Sequence, residues 1–210
     1  MDAPTLRRFT AEDFRARAAR EQAPRGGDEY GDHRLNPELR PLFVHDRLRD
    51  AAVLIPVVDR GDEASVLLTK RTEKLRRHSG QIAFPGGRLD PTDPTPEFAA
   101  LRETQEEIGL SPEFIDVVGR MPDYVSGSGF RIAPVLSVVR PGFLLTINED
   151  EVDDAFEVPL SFLMDPANHN RGSRVWDDRE RFFYSMPFGD RNIWGVTAGI
   201  IRTLYERLYA

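Results

Sequence analysis

Residues 96–110 read PEFAALRETQEEIGL, and just upstream the chain runs Phe84-Pro85-Gly86-Gly87. Thr95 is a good N-cap, Pro96 suits the first helical position and Gly109 is a plausible stop, so the spacing predicts a helix over 96–110. At about 3.6 residues per turn, Glu103, Glu106 and Glu107 share one face. Phe98, Leu101 and Ile108 fall on the opposite face and are expected to meet the core. Ala99 and Ala100, a turn earlier, are expected to flank the acidic face with small side chains. Like charges at these spacings repel by roughly a few tenths of a kcal/mol per pair. The ridge is therefore either a solvated acidic face or a set of ligands for a hard divalent cation such as Mg²⁺ or Mn²⁺. The diglycine lets backbone approach a ligand closely, and an open carbonyl there can ligate a metal.

Working outward, Ala51–Val58 reads as a buried strand and Ser65–Thr69 as its hairpin partner. Gln81–Phe84 is a further short strand, and 88–96, with three prolines, a loop. After the helix, Phe114–Gly119, Ile132–Val139 and Leu144–Ile147 read as strands. The acidic stretch 149–154 reads best as an exposed turn. Ala155–Pro159 is expected to lead into a short helix at Leu160–Met164. Arg181–Met186 and Asn192–Trp194 are late strands, and Thr197–Leu208 closes the chain as a helix. Helices and mixed strands alternate, so the class is α/β or α+β. Residues 1–49 form an N-terminal arm, a helix and loop packed on a main domain at 50–210.

The composition narrows the function. The chain has 210 residues, 40% of them apolar, which is enough for a real core. No run of eighteen apolar residues spans a membrane, and the N-terminus lacks a signal-like apolar stretch. Cysteine is absent, which excludes thiolate metal sites and a cysteine nucleophile, and a cytoplasmic protein is expected. A net charge of -7 argues against nucleic-acid binding through overall charge. Four histidines with no pairing signal argue against a histidine metal site.

Gly87, a spaced acid at Asp93, and Arg102-Glu103-x-x-Glu106-Glu107-x-Gly109 together resemble the Nudix box, GX5EX7REUXEEXGU with U apolar. The gap from Asp93 to Arg102 is one residue longer than the pattern, Asp90 is a second candidate acid, and Thr104 replaces an apolar residue. Upstream, Leu67-Leu68-Thr69-Lys70-Arg71 through Arg76, Gly80 and Phe84-Pro85-Gly86-Gly87 resembles the extra signature of the coenzyme A pyrophosphatase branch, LLTxR(S/A)x3Rx3Gx3FPGG, with Thr72 where Ser or Ala is usual. The resemblance implies a Nudix-like mixed β-sheet sandwiched between helices. It implies hydrolysis of coenzyme A to 3′,5′-ADP and 4′-phosphopantetheine. The expected ligands for Mg²⁺ or Mn²⁺ are Glu103, Glu106, Glu107 and the Gly87 carbonyl, with Arg102 bracing the carboxylates. Arg71 and Arg76 are expected to meet phosphate or anchor the motif, and His78, Phe84 and Gly86 to complete the substrate contacts. The general base is open between Glu103 and an acid of the following stretch, Glu149 or Glu151. Alternatives are a Nudix hydrolase for ADP-ribose, a dinucleoside polyphosphate or an oxidised nucleotide, or a non-catalytic Nudix module. The Arg-rich arm could support a homodimer or cover the site.

Overall fold

The computed structural model of the chain describes residues 8–21, 30–44, 47–73, 80–176 and 178–210. The arm contributes α1 (Ala11–Arg20), β1 (Tyr30–Gly31) and α2 (Arg40–Phe43). Next come β2 (Arg49–Asp59), β3 (Ala64–Arg71), β4 (Ile82–Ala83), β5 (Gly86–Arg88) and α3 (Pro96–Ile108). Four strands follow: β6 (Ile115–Arg120), β7 (Tyr124–Val125), β8 (Phe130–Val139) and β9 (Val152–Pro159). The chain ends with α4 (Leu160–Leu163), β10 (Asn170–Trp176), β11 (Arg179–Phe188), β12 (Arg191–Trp194) and α5 (Val196–Leu208).

The long apolar runs of β2 and β8 pair in parallel at the centre of a mixed sheet, from Arg49↔Phe130 to Val58↔Val139. Both strands are buried on two faces, which is why they read as continuous apolar runs. On β2, Ala52 and Leu54 meet α3, whereas Ala51, Ile55 and Val57 point to the other side. That second side is closed by Phe14 and Ala18 of α1 and by Ile200, Ile201 and Leu204 of α5. The sheet therefore lies between α3 and the two terminal helices. β10, β11 and β12 form a separate antiparallel sheet.

One split in the large sheet creates the site. The C-terminal end of β2 pairs with β3, at Val57↔Val66 to Asp59↔Ala64. Its N-terminal end pairs instead with β5, at Ala51↔Arg88 to Val53↔Gly86. β3 runs on to pair with β9 and β4. The diglycine turn is wedged where β2 and β3 part.

Helix α3 starts and stops where its capping residues demand. Thr95 accepts a hydrogen bond from the Phe98 amide at 3.2 Å, and Gly109 closes the helix in the left-handed region at φ 67°. Its packing face differs from expectation. Ala99, Ala100, Thr104 and Ile108 are fully buried, whereas Phe98 is 50% exposed. Small residues face the sheet so that the helix axis can lie close to β2, and the bulky Phe98 is turned out. Thr104 fits an apolar position because its hydroxyl donates to the Ala100 carbonyl at 2.7 Å.

Leu144–Ile147 is not a strand. The segment runs past the end of α3, where the Thr146 amide donates to the Ile108 carbonyl and the Asn148 amide to the Glu107 carbonyl, each at 2.9 Å. These bonds satisfy helix-end carbonyls that would otherwise lack partners. A Cβ at Gly109 would lie 2.9 Å from Thr146 Cβ. Gly109→Ala should therefore cost more than about 1 kcal/mol, adding this clash to left-handed strain. Urea unfolding checks this, and an unchanged midpoint would contradict it. The stretch 149–154 is only partly a turn, since Val152 is buried and begins β9. Among the described residues no helix is long and apolar enough to cross a membrane.

Candidate active site

Glu103, Glu106 and Glu107 form a ridge on α3 whose members differ sharply in exposure. The side chain of Glu106 is 55% exposed, that of Glu103 17% and that of Glu107 only 3%. The ridge thus runs along the flank of the helix, from solvent down to the sheet. Glu107 lies on the packed side, not opposite it as expected.

Glu107 is held from two directions. The Gly86 amide donates to its Oε2 at 3.1 Å, and Arg71 Nη1 to its Oε1 at 3.4 Å. Burial nevertheless dominates and pushes its pKa up to about 7, with Glu103 and Glu151 adding repulsion. Glu103 is also raised, chiefly by burial, although Arg102 opposes the shift.

Arg102 is the clamp of the ridge. Its Nε and Nη2 donate to both oxygens of Asp93, at 3.0 and 2.9 Å, and Nη1 donates to Glu103 at 3.0 Å and Glu106 at 2.9 Å. The bidentate fork is the geometry guanidinium favours. It holds the Asp93 carboxyl below the ordinary range, helped by the Asp90 amide. Asp90 itself lies farther from Arg102, at 3.8 Å. The long gap between Asp93 and Arg102 therefore does not prevent their pairing.

The diglycine turn approaches the ridge as closely as backbone can. A Cβ on Gly87 would lie 2.6 Å from the Glu103 carboxylate. A Cβ on Gly86, at φ 149°, would lie 2.3 Å from the Ala52 carbonyl oxygen. The Leu54 amide donates to the Pro85 carbonyl and the Leu89 amide to the Asp50 carbonyl, which sets the alternation of the ladder. By that alternation Gly87 directs its carbonyl to Ala52. Gly86 directs its amide and carbonyl away from β2, and the amide meets Glu107. The carbonyl expected from Gly87 as a metal ligand is thus better placed on Gly86.

Other expected contacts divide. Arg71 braces Glu107 from the end of β3. Phe84 is 3% exposed within the core, so its ring packs the turn from beneath. Arg76 and His78 lie outside the described residues. Glu151 is half-buried and held by Asn148 Nδ2 at 3.3 Å, close enough to raise both Glu103 and Glu107. Its partners are set by the folding of 146–152 over the helix end, which local charge density does not reveal.

Among the described residues no three His, Asp or Glu side chains already form a metal cage. Arg102 and Gly86 engage the ridge carboxylates instead. The donor set nonetheless suits a hard divalent cation: three carboxylates, a main-chain carbonyl, and space kept clear by the missing Cβ of Gly87.

The NUDIX domain model matches residues 48–179. A Cronobacter sakazakii protein described as the uncharacterized Nudix hydrolase NudL is 43% identical over 176 residues, covering 79% of this chain and 87% of that protein. Its counterpart in Salmonella paratyphi B is 41% identical over the same shares. Among solved structures, the NUDIX domain of Shewanella oneidensis NrtR complexed with ADP ribose superposes with a TM-score of 0.49 at 17% identity, covering 82% of this chain and 97% of that one. A C. elegans Ap4A hydrolase binary complex gives 0.44 at 18% identity, covering 54% and 82%.

Proposed function

Since the chain belongs to the Nudix family, enzymes that hydrolyse phosphoric anhydrides, we propose that its substrate is coenzyme A or a CoA derivative, cleaved to 3′,5′-ADP and 4′-phosphopantetheine. One observation supports the finer reading most. The extra motif upstream of the box is physically part of the ridge: Arg71 and Gly86, both motif positions, hold the two oxygens of Glu107. A segment that shapes the catalytic carboxylate is well placed to couple substrate recognition to chemistry.

Glu103, Glu106 and Glu107, with the Gly86 carbonyl, would hold Mg²⁺ or Mn²⁺. When bound, the ion supplies charge neutralisation for the pyrophosphate and a more acidic water. The protein's share is positioning. Arg102 fixes Glu103 and Glu106 in relation to each other. Arg71 and the Gly86 amide fix Glu107. Glu103 is more exposed than Glu107, so we assign it to accept the proton of the attacking water. Water then attacks one phosphorus in line, and the other phosphate departs.

The test is direct. Full-length protein is incubated with CoA and Mg²⁺ or Mn²⁺, alongside ADP-ribose and diadenosine tetraphosphate, and the products are separated. The expected products from CoA are 3′,5′-ADP and phosphopantetheine, with the other nucleotides cleaved more slowly. Intact CoA beside a well-cleaved competitor would reject the substrate assignment. No hydrolysis of any pyrophosphate under either metal would reject the catalytic reading.

A further inference from the structure

The small sheet has two unlike faces. Antiparallel pairing of β10, β11 and β12 sends alternate side chains to opposite sides. Met186 and Ile193 are fully buried and point into the core, with Tyr184 and Phe188 packed beside them. The other face carries Trp176, Phe183 and Trp194, together with Arg174, Arg179 and Arg181. All three aromatic residues remain partly exposed, so core burial does not account for them.

They nevertheless form an ordered group. The two indole planes lie 6° from parallel, with ring centroids 6.5 Å apart. Phe183 touches both, at 5.9 Å from Trp176 and 5.3 Å from Trp194. Gly172 sits opposite Phe183 in the ladder, and a Cβ there would come within 3.1 Å of its ring, so the glycine makes room for it. Arg174 lies 5.8 Å from the Trp176 ring. Arg174 faces Arg181 across the ladder, and Arg181 turns to the arm, its guanidinium 5.6 Å from the Phe43 ring and within electrostatic reach of Asp32. Glu180 points to the side away from the aromatic residues, where Ser173 donates to it at 2.6 Å. An aromatic surface flanked by the exposed Arg174 and Arg179 matches a ligand that is both flat and anionic, which describes a nucleotide.

This face is tied to the ridge. Trp194 ends β12, which packs against β4. Three residues later, Thr197 Oγ1 donates to the Ile82 carbonyl of β4 at 3.0 Å. From β4 the chain runs through Phe84 and Pro85 to Gly86, whose amide holds Glu107.

We propose that Trp176, Phe183 and Trp194 are the stacking platform for the nucleobase of the substrate, with Arg174 meeting a phosphate on the same nucleotide. The assignment rests on reading the substrate as a nucleotide derivative such as CoA.

The chain contains two tryptophans, and both belong to the platform, so indole emission reports on it without catalysis. Metal-free full-length protein is titrated with 3′,5′-ADP and, separately, with inorganic pyrophosphate. Saturable quenching by the nucleotide alone is expected. Trp194→Ala should raise KM for CoA by about 5- to 150-fold, the equivalent of losing one base stack, with kcat little changed. Trp194→Phe should recover most of that loss, which a purely structural role would not require. Emission indifferent to 3′,5′-ADP, or quenched equally by pyrophosphate, would overturn the platform. So would a dimer on size exclusion whose emission changes with protein concentration alone, because a second copy would then cover the face. If CoA is cleaved but no quenching occurs, only the platform fails. If 3′,5′-ADP quenches but CoA survives, the platform stands and the CoA assignment falls.

Discussion

Glu107→Gln is expected to lower turnover by about 10³-fold while making the metal-free protein more stable above neutral pH. Both effects come from one buried carboxylate. Its pKa of about 7, against an ordinary 4.5, means that the folded chain retains a proton the unfolded chain has already released. Between those values the unfolded state binds fewer protons, so stability falls as pH rises. The stabilisation is fully present below the lower value and gone once pH passes about 7. Its size is on the order of 3 kcal/mol, which for a chain of this length corresponds to roughly 6–12 °C in melting temperature.

Glutamine mimics the protonated acid without ever ionising. In EDTA, the melting temperature of wild type should fall between pH 5 and pH 8, and that of Glu107→Gln should fall clearly less over the same range. Parallel profiles for wild type and variant would show that the burial of Glu107 carries no such penalty. Activity is measured on the same preparations with Mg²⁺ or Mn²⁺. Near-normal turnover by the variant would mean that the ridge on α3 is not the catalytic centre.

Gly87→Ala is expected to reduce turnover by about 10²-fold with almost no change in melting temperature. The added methyl would sit 2.6 Å from the Glu103 carboxylate, at the far end of a flexible side chain. Glu103 can move aside, so the fold survives. A carboxylate displaced by about 1 Å from its productive position is enough for a loss of that size. Gly86→Ala provides the contrast. Its methyl would meet the Ala52 carbonyl oxygen at 2.3 Å and the Val53 Cα at 2.6 Å, both backbone, from a left-handed φ. The strand pairing must then yield, and loss of folded signal by circular dichroism should accompany loss of activity. Equal behaviour of the two variants would contradict the division of labour between adjacent glycines.

Some of this was written locally. β2 and β8 are apolar enough to bury both faces, and α3 carries its own start at Thr95 and its own stop at Gly109. Helical spacing brings Glu103, Glu106 and Glu107 to one flank wherever the helix is placed. Other elements had no such local signature. β10 is a mostly exposed strand of polar and charged residues, stabilised by its pairing with β11. Leu144–Ile147 has the composition of a strand but serves as a strap, because unpaired carbonyls at the end of α3 offered its amides partners.

Sequence alone determined the helix, its acidic ridge and the adjoining diglycine, since capping and periodicity act between near neighbours. Which glutamate is buried, which glycine presents its carbonyl and which acid engages Arg102 were decided only in three dimensions. Those outcomes depend on the parting of β2 from β3, on the close approach of two alanines to the sheet, and on a guanidinium reaching back to Asp93. Burial and strand register are properties of the assembled layers, and no window of local sequence contains them.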